Sequence, residues 1–168
     1  MTFGVRLIVG LISDTHDRIR SIKRAMSLFR EEGVELVLHA GDIISPFTAK
    51  YFDIEMIAVF GNNDGDRLNL EKNFSNCRFL GEFGEVELSN GKKVFLIHKL
   101  EDWLLEVLVS SGRYLAIVHG HTHVPEIKEL GGTKVVNPGE ACGYVSGKET
   151  VALLDTEREE VWIKTLRS

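Results

Sequence analysis

The stretch LIVGLISDTH, residues 7–16, decides the reading of this chain. An apolar run from Leu7 through Ile12 closes on Ser13 and delivers Asp14 and His16 at its end. Four further runs repeat the pattern. Leu36–Leu38 leads through Gly41 to Asp42, and Met56–Phe60 leads through Gly61 to Asn62. Val94–Ile97 ends at His98, and Leu115–Val118 leads through His119 and Gly120 to His121 and His123. Short apolar runs bounded by turn residues read as buried strands. In open α/β sheets, ligands gather outside the carboxyl ends of such strands. Seven metal-capable side chains at five strand ends are hard to explain as core packing and point to one polynuclear metal site.

Working outward, the first third reads as βαβαβ: strand Val5–Ser13, a helix capped by Asp17 and running to about Glu32, strand Glu35–His39, a short helix Pro46–Phe52 and strand Met56–Phe60. Such alternation implies parallel strands in a buried sheet. Ile19, Ile22, Met26 and Phe29 recur near helical spacing, and Gly33 can end that helix. The rest reads as β-rich and largely antiparallel. Val86–Leu88 and Val94–Ile97 flank the turn Asn90-Gly91, and Val124–Leu130 and Thr133–Val136 flank Gly131-Gly132. Val151–Asp155 and Glu160–Lys164 form a third hairpin, and Asp102–Ser110 reads as a helix. Two packed sheets with helices outside accommodate both halves. The 168 residues are expected to form a single domain, residues 1–168.

A net charge of −5 disfavours non-specific binding to nucleic acid. No apolar run approaches a membrane span, and Cys77 and Cys142 lack metal-ligand spacing, so a cytoplasmic protein with reduced thiols and no membrane partner is expected.

The pairs Asp14/His16 and His121/His123 are spaced i, i+2. In extended backbone each pair would point to one side and address a shared centre. Two carboxylates, four imidazoles and one amide, without thiolate, suit manganese, nickel, iron, zinc or cobalt. Seven donors exceed what one catalytic ion takes, so two ions sharing one Asp is the natural count. Two divalent ions set against two carboxylates and a bridging hydroxide leave a net positive charge, matched to a phosphate ester. Taken singly, Gly41-Asp42 and Gly61-Asn62-Asn63-Asp64-Gly65 are ordinary turn chemistry. The ordered combination carries the reading. His39 and His119 fall outside it and read as supporting residues.

The series Asp14-x-His16, Gly41-Asp42, Gly61-Asn62, His98 and Gly120-His121-x-His123 resembles the calcineurin-like metallophosphoesterase superfamily. The short length and Asn137-Pro138-Gly139 look like its small archaeal and bacterial phosphodiesterase branch. The resemblance implies an α/β, four-layer αββα sandwich of two packed mixed sheets with flanking helices. It assigns Asp14, His16, Asp42 and His123 to one metal and Asp42, Asn62, His98 and His121 to the other, with Asp42 bridging. It implies two divalent transition-metal ions, manganese foremost and nickel next, a metal-bridging hydroxide as nucleophile, a small phosphodiester or nucleotide-like substrate, and dimers or larger homo-oligomers. Where the family often has a histidine that acts as general acid or holds the phosphate, this chain has Asn63. An amide can donate a hydrogen bond to a phosphoryl oxygen but delivers no proton. General acid catalysis is worth about 10²–10⁴-fold, so poor leaving groups should turn over slowly. Asp64 is expected to orient its neighbours. Lys99 stands where the family usually has glycine. Two other functions compete: a catalytically impaired scaffold, as the fold serves in the retromer complex, and a phosphomonoesterase acting on a nucleotide or phosphoprotein.

Overall fold

The computed structural model describes residues 7–166. Strand β1 (Ile8–Ile12) alternates faces along its length. Ile8 and Ile12 point into one apolar layer and Val9 and Leu11 into another. Gly10 faces helix α1 (Ile19–Glu31), where a Cβ would lie 2.9 Å from the Phe29 ring, so its lack of a side chain lets the helix close on the sheet. Helix α1 buries Ile22, Ala25, Met26 and Phe29 against that face and ends before Gly33, which takes a φ of +74°. The residue expected to cap it does something else. Arg18 holds the cap position without a side-chain hydrogen bond, while both Asp17 carboxylate oxygens accept from Ser45, at 2.8 Å from its backbone N–H and 2.5 Å from its hydroxyl. Asp17 thereby ties together the loops that follow the first two strands.

Next come β2 (Leu36–His39), a 3₁₀ helix (Pro46–Tyr51), β3 (Met56–Ala58), α2 (Arg67–Asn73) and β4 (Cys77–Phe79). They are followed by β5 (Phe83–Glu87), β6 (Lys93–Ile97), α3 (Asp102–Ser110) and β7 (Ala116–Val118). Strands β8 (Glu126–Leu130), β9 (Thr133–Asn137), β10 (Thr150–Asp155) and β11 (Glu160–Thr165) complete the chain. One sheet runs β11-β10-β1-β2-β3-β4 and the other β5-β6-β7-β9-β8. Strands β1 to β4 are parallel, as the βαβαβ reading requires. The second half departs from its antiparallel reading. Strands β6, β7 and β9 run parallel, with antiparallel neighbours only at the sheet edges, and β10 and β11 join the first sheet.

Three apolar layers hold this architecture. Met26, Phe29, Val37, Met56 and Leu70 fill the space between the first sheet and α1, α2 and the 3₁₀ helix. Leu11, Leu38, Leu96, Val118 and Leu154 lie between the sheets. Phe95, Leu108, Tyr114 and Ile117 join the second sheet to α3. The result is an αββα sandwich. Each fully buried aliphatic or aromatic side chain contributes about 1.5–3 kcal/mol, and truncation of Leu96 to alanine should cost about 2–5 kcal/mol. Because β1, β2, β3, β6, β7 and β9 all point the same way within their sheets, their carboxyl ends meet along one rim.

Candidate metal centre

The rim brings the donors together. The Asp14 Oδ1 atom lies 3.4 Å from His16 Nε2 and 3.3 Å from His123 Nε2. The Asp42 Oδ2 atom lies 3.4 Å from both His16 Nε2 and His98 Nε2. Asn62 Oδ1 stands 3.0 Å from His98 Nε2 and 3.1 Å from His121 Nδ1. Donor atoms of Asp14, His16 and His123 all lie within 4.8 Å of one another, as do those of Asp14, Asp42 and His98.

The way the residues converge differs from the expected extended i, i+2 geometry. Asp14, His16, Asp42, His121 and His123 all have left-handed backbone, with φ of 54°, 41°, 61°, 69° and 64°. This region is uncommon for residues with a side chain and tolerated best by Asp, Asn and His. It turns successive side chains back over the strand ends. The two pairs also behave differently. Asp14 and His16 share one cluster, whereas His123 joins them and His121 turns to Asn62.

Two glycines set how closely the loops pass. A Cβ on Gly61 would sit 2.1 Å from Asp42 Oδ1, and one on Gly120 would sit 2.0 Å from Ser13 Oγ and 2.7 Å from Asp14 Oδ2. Any side chain at either position would displace a carboxylate.

Proton positions explain why these groups suit a cation. His98 Nδ1 lies 2.8 Å from the Ala40 carbonyl, which can only accept, so Nδ1 carries a proton and, in the neutral ring, Nε2 presents its lone pair toward Asp42 and Asn62. His123 Nδ1 donates to Glu140 Oε2 at 2.6 Å, which turns its Nε2 lone pair toward Asp14. Asp14 Oδ1 and His16 Nε2 are buried without a hydrogen-bond partner. Acceptors facing acceptors at 3.3–3.4 Å are too far apart for hydrogen bonds of normal strength. They have the separation of two donors on one ion with bonds of about 2.0–2.2 Å. The donor set fits divalent metal.

Without an ion, protons compensate. The Asp14 and Asp42 carboxylates that face its Nε2 raise His16 to about 9. Burial opposes ionisation of Asp14 and Asp42, but the surrounding imidazoles, with Ser13 and Asn63, outweigh it and hold both carboxyls below the usual range. Burial also opposes a charge on His98, yet Asp42 and Asp14 raise it. Burial lowers His121, helped by the charges of His98 and Lys99.

Support comes from behind. Burial pushes His39 down to about 3 and keeps it neutral. Its Nδ1 accepts the Gly41 N–H at 3.0 Å and its Nε2 lies 3.1 Å from Thr15 Oγ1, which braces the loops bearing Asp14 and Asp42. Burial also lowers His119, which lies outside the donor cluster. The Asp64 carboxylate accepts the backbone N–H groups of Asp42, Ile44 and Gly61 at 2.9, 2.8 and 2.7 Å. Asn63 bonds Asp42 twice, each at 2.9 Å, through its backbone N–H and its amide.

Glu140 is absent from the sequence reading. It is fully buried, and despite that burial its bonds to His123, Ser146 and Val145 lower its carboxyl to about 2. It stands past the carboxyl end of β9, a sixth strand end obeying the same rule as the other five. Taking the second half as antiparallel hid it.

A profile of the calcineurin-like phosphoesterase superfamily domain matches residues 7–159, and the chain belongs to that superfamily. Within it, the chain is 39% identical over 158 residues to a phosphodiesterase of Methanocaldococcus jannaschii, covering 90% of this chain and 95% of that protein. A solved structure of a novel archaeal phosphodiesterase superposes with a TM-score of 0.88 at 36% identity, covering 95% of this chain and all of the other. Vacuolar protein sorting 29 from Cryptosporidium parvum shares the fold, with a TM-score of 0.63 at 20% identity over 95% of this chain and 96% of that one. Among the described residues, no helix is long and apolar enough to cross a membrane.

Proposed function

We propose that this chain is a di-metal phosphodiesterase, with Asp14, His16, Asp42 and His123 holding one ion and Asp42, Asn62, His98 and His121 the other. Manganese is the foremost candidate and nickel the second. The observation that carries the reading is the pair of buried, unpartnered atoms, Asp14 Oδ1 and His16 Nε2, set among imidazole lone pairs aimed at carboxylate oxygens. When bound, two such ions supply an activated hydroxide and stabilise charge on the attacking and leaving oxygens. The protein's own residues fix the donors. Glu140 selects the His123 tautomer, Asp64 gathers the backbone around Asp42, and Asn63 grips the Asp42 carboxylate. Asn63 cannot supply a proton to the leaving alkoxide, so esters of acidic alcohols and phenols are the favoured substrates. Asp64 acts as a positioning residue through these backbone bonds.

The clustered carboxylates and imidazoles of Asp14, His16, Asp42, His98 and His123 weigh against a scaffold that has lost its metals, and the 39% identity to a named phosphodiesterase favours diesters over monoesters. The test compares bis(4-nitrophenyl) phosphate with 4-nitrophenyl phosphate, with Mn²⁺ or Ni²⁺ added and with chelator. Metal-dependent turnover with the diester faster is expected. A faster monoester would make the chain a phosphomonoesterase, and no turnover with any metal would leave the scaffold reading.

A further inference from the structure

Beside the donors lies a cavity of about 220 Å³ that the metal chemistry does not use. Asn62 and His98 form one wall, and Phe60, Phe83, Ile97, Arg67, Glu82 and Lys99 enclose the rest. Phe83 opens β5 directly across from Ile97, the residue before His98, so its ring stands next to the donor end of β6. It is 59% exposed, yet held from behind by Phe95, with centroids 5.9 Å apart and planes inclined by 24°. Phe60 stacks on Phe79 at 4.8 Å and carries the Arg67 guanidinium 5.0 Å from its ring centroid. The charges at the mouth are matched: Arg67 pairs with Glu82 at 3.3 Å and Lys99 with Glu101 at 3.0 Å.

We propose that this cavity is a subsite for an uncharged aromatic substituent of the phosphate ester, an aryl group or a nucleobase, which stacks on Phe83 while the phosphate lies at the donor cluster. The inference rests on the reading of that cluster as a phosphate-ester site. Size agrees, since an open pocket of about 220 Å³ has room for one aromatic ring. Chemistry agrees too. Paired cations offer little to a second phosphate, whereas a ring fixed before binding loses little freedom on stacking. The placement gives Phe83 a reason to be exposed beside Asn62 and His98. It also gives the Lys99–Glu101 pair a place at the mouth of the subsite.

The test measures binding, independently of turnover, by calorimetry of the manganese-loaded chain with methyl phosphate, phenyl phosphate and adenosine 5′-monophosphate. Phenyl phosphate should bind about tenfold more tightly than methyl phosphate, and Phe83→Ala should remove that preference while leaving methyl phosphate affinity within about twofold. Phe83→Trp should keep or increase the preference, which guards against a loss caused by misfolding. Adenosine monophosphate tighter than phenyl phosphate assigns the site to a nucleobase, and the reverse order assigns it to a smaller aryl group. Equal affinity for methyl and phenyl phosphate, or an equal loss for every ligand in Phe83→Ala, overturns the subsite. Diester turnover without a Phe83-dependent preference removes the subsite alone. A Phe83-dependent preference without any turnover removes the hydrolase reading alone.

Discussion

Around Asp14, the Asp14, Asp42 and His123 donors are each held by a further hydrogen bond, while around Asn62 two of the donors stand close to solvent. Asp14 takes a hydrogen bond from Ser13 at 2.7 Å, and His123 is fixed by a carboxylate that itself accepts from the Val145 and Ser146 backbone. Opposite them, Asn62 is exposed, and the ring bond of His121 goes to Asn62 itself. Only His98 on that side is both buried and fixed by a backbone carbonyl. The first half is the more firmly preorganised, and the second opens toward the Phe83 cavity. A stepwise loading of the two positions follows, with the Asp14 half filling at lower metal concentration.

The largest effect should come from the residue common to both halves. Asp42→Asn removes the one negative charge that both halves share, and diester hydrolysis should fall by at least about a thousandfold, with metal content after gel filtration dropping from two ions to one or none. Unchanged turnover would remove the two-metal assignment. Next, Glu140→Gln should weaken the tighter metal site by about 10–100-fold, because the carboxylate behind a ligating histidine sets its tautomer and basicity. Asn62→Ala should weaken only the looser site. A metal titration in which both variants affect the same step would erase the distinction between the halves. A smaller gain, about tenfold, is expected for Asn63→His on diesters with alkyl leaving groups, with little change on nitrophenyl esters whose departure needs no proton.

The smallest effect concerns the metal-free protein. His16 is raised to about 9 by Asp14 and Asp42, against about 6.5 when unfolded. Its contribution to stability is therefore fully present below about pH 6.5 and is lost as the pH rises through 9. The loss should be on the order of 1–2 kcal/mol, read as a lower midpoint in urea at pH 10 than at pH 6. His16→Gln should flatten that dependence. Metal affinity should run the other way and rise with pH up to about 9, because the ion must displace the His16 proton.

Legibility followed from how each feature is encoded. Helix α3 and the Asn90-Gly91 hairpin matched their reading because apolar periodicity and turn residues act locally. The seven candidate donors stand out in the sequence because each follows an apolar strand that needs no partner to be recognised. Helix α2 is absent from the sequence reading, since only Leu70 is buried within its seven polar-rich residues. Strand β4 was missed because it has three residues and lies at a sheet edge. Strand direction in the second sheet depends on crossovers that leave no local mark, and Glu140 was lost with it. The left-handed backbone at Asp14 and His16 was also invisible, because neither residue type demands that conformation.

The donors do not all come from one sheet. Asp14, His16, Asp42 and Asn62 extend from the first, and His98, His121 and His123 from the second. An ion held by the proposed ligands would therefore rivet the two faces of the sandwich, much as a covalent cross-link closes a long loop between distant points of a chain. Sliding or parting of the sheets at that rim would require breaking coordination first. Metal saturation should thus slow unfolding as well as shift its equilibrium, and chelation should let the sandwich open from that rim.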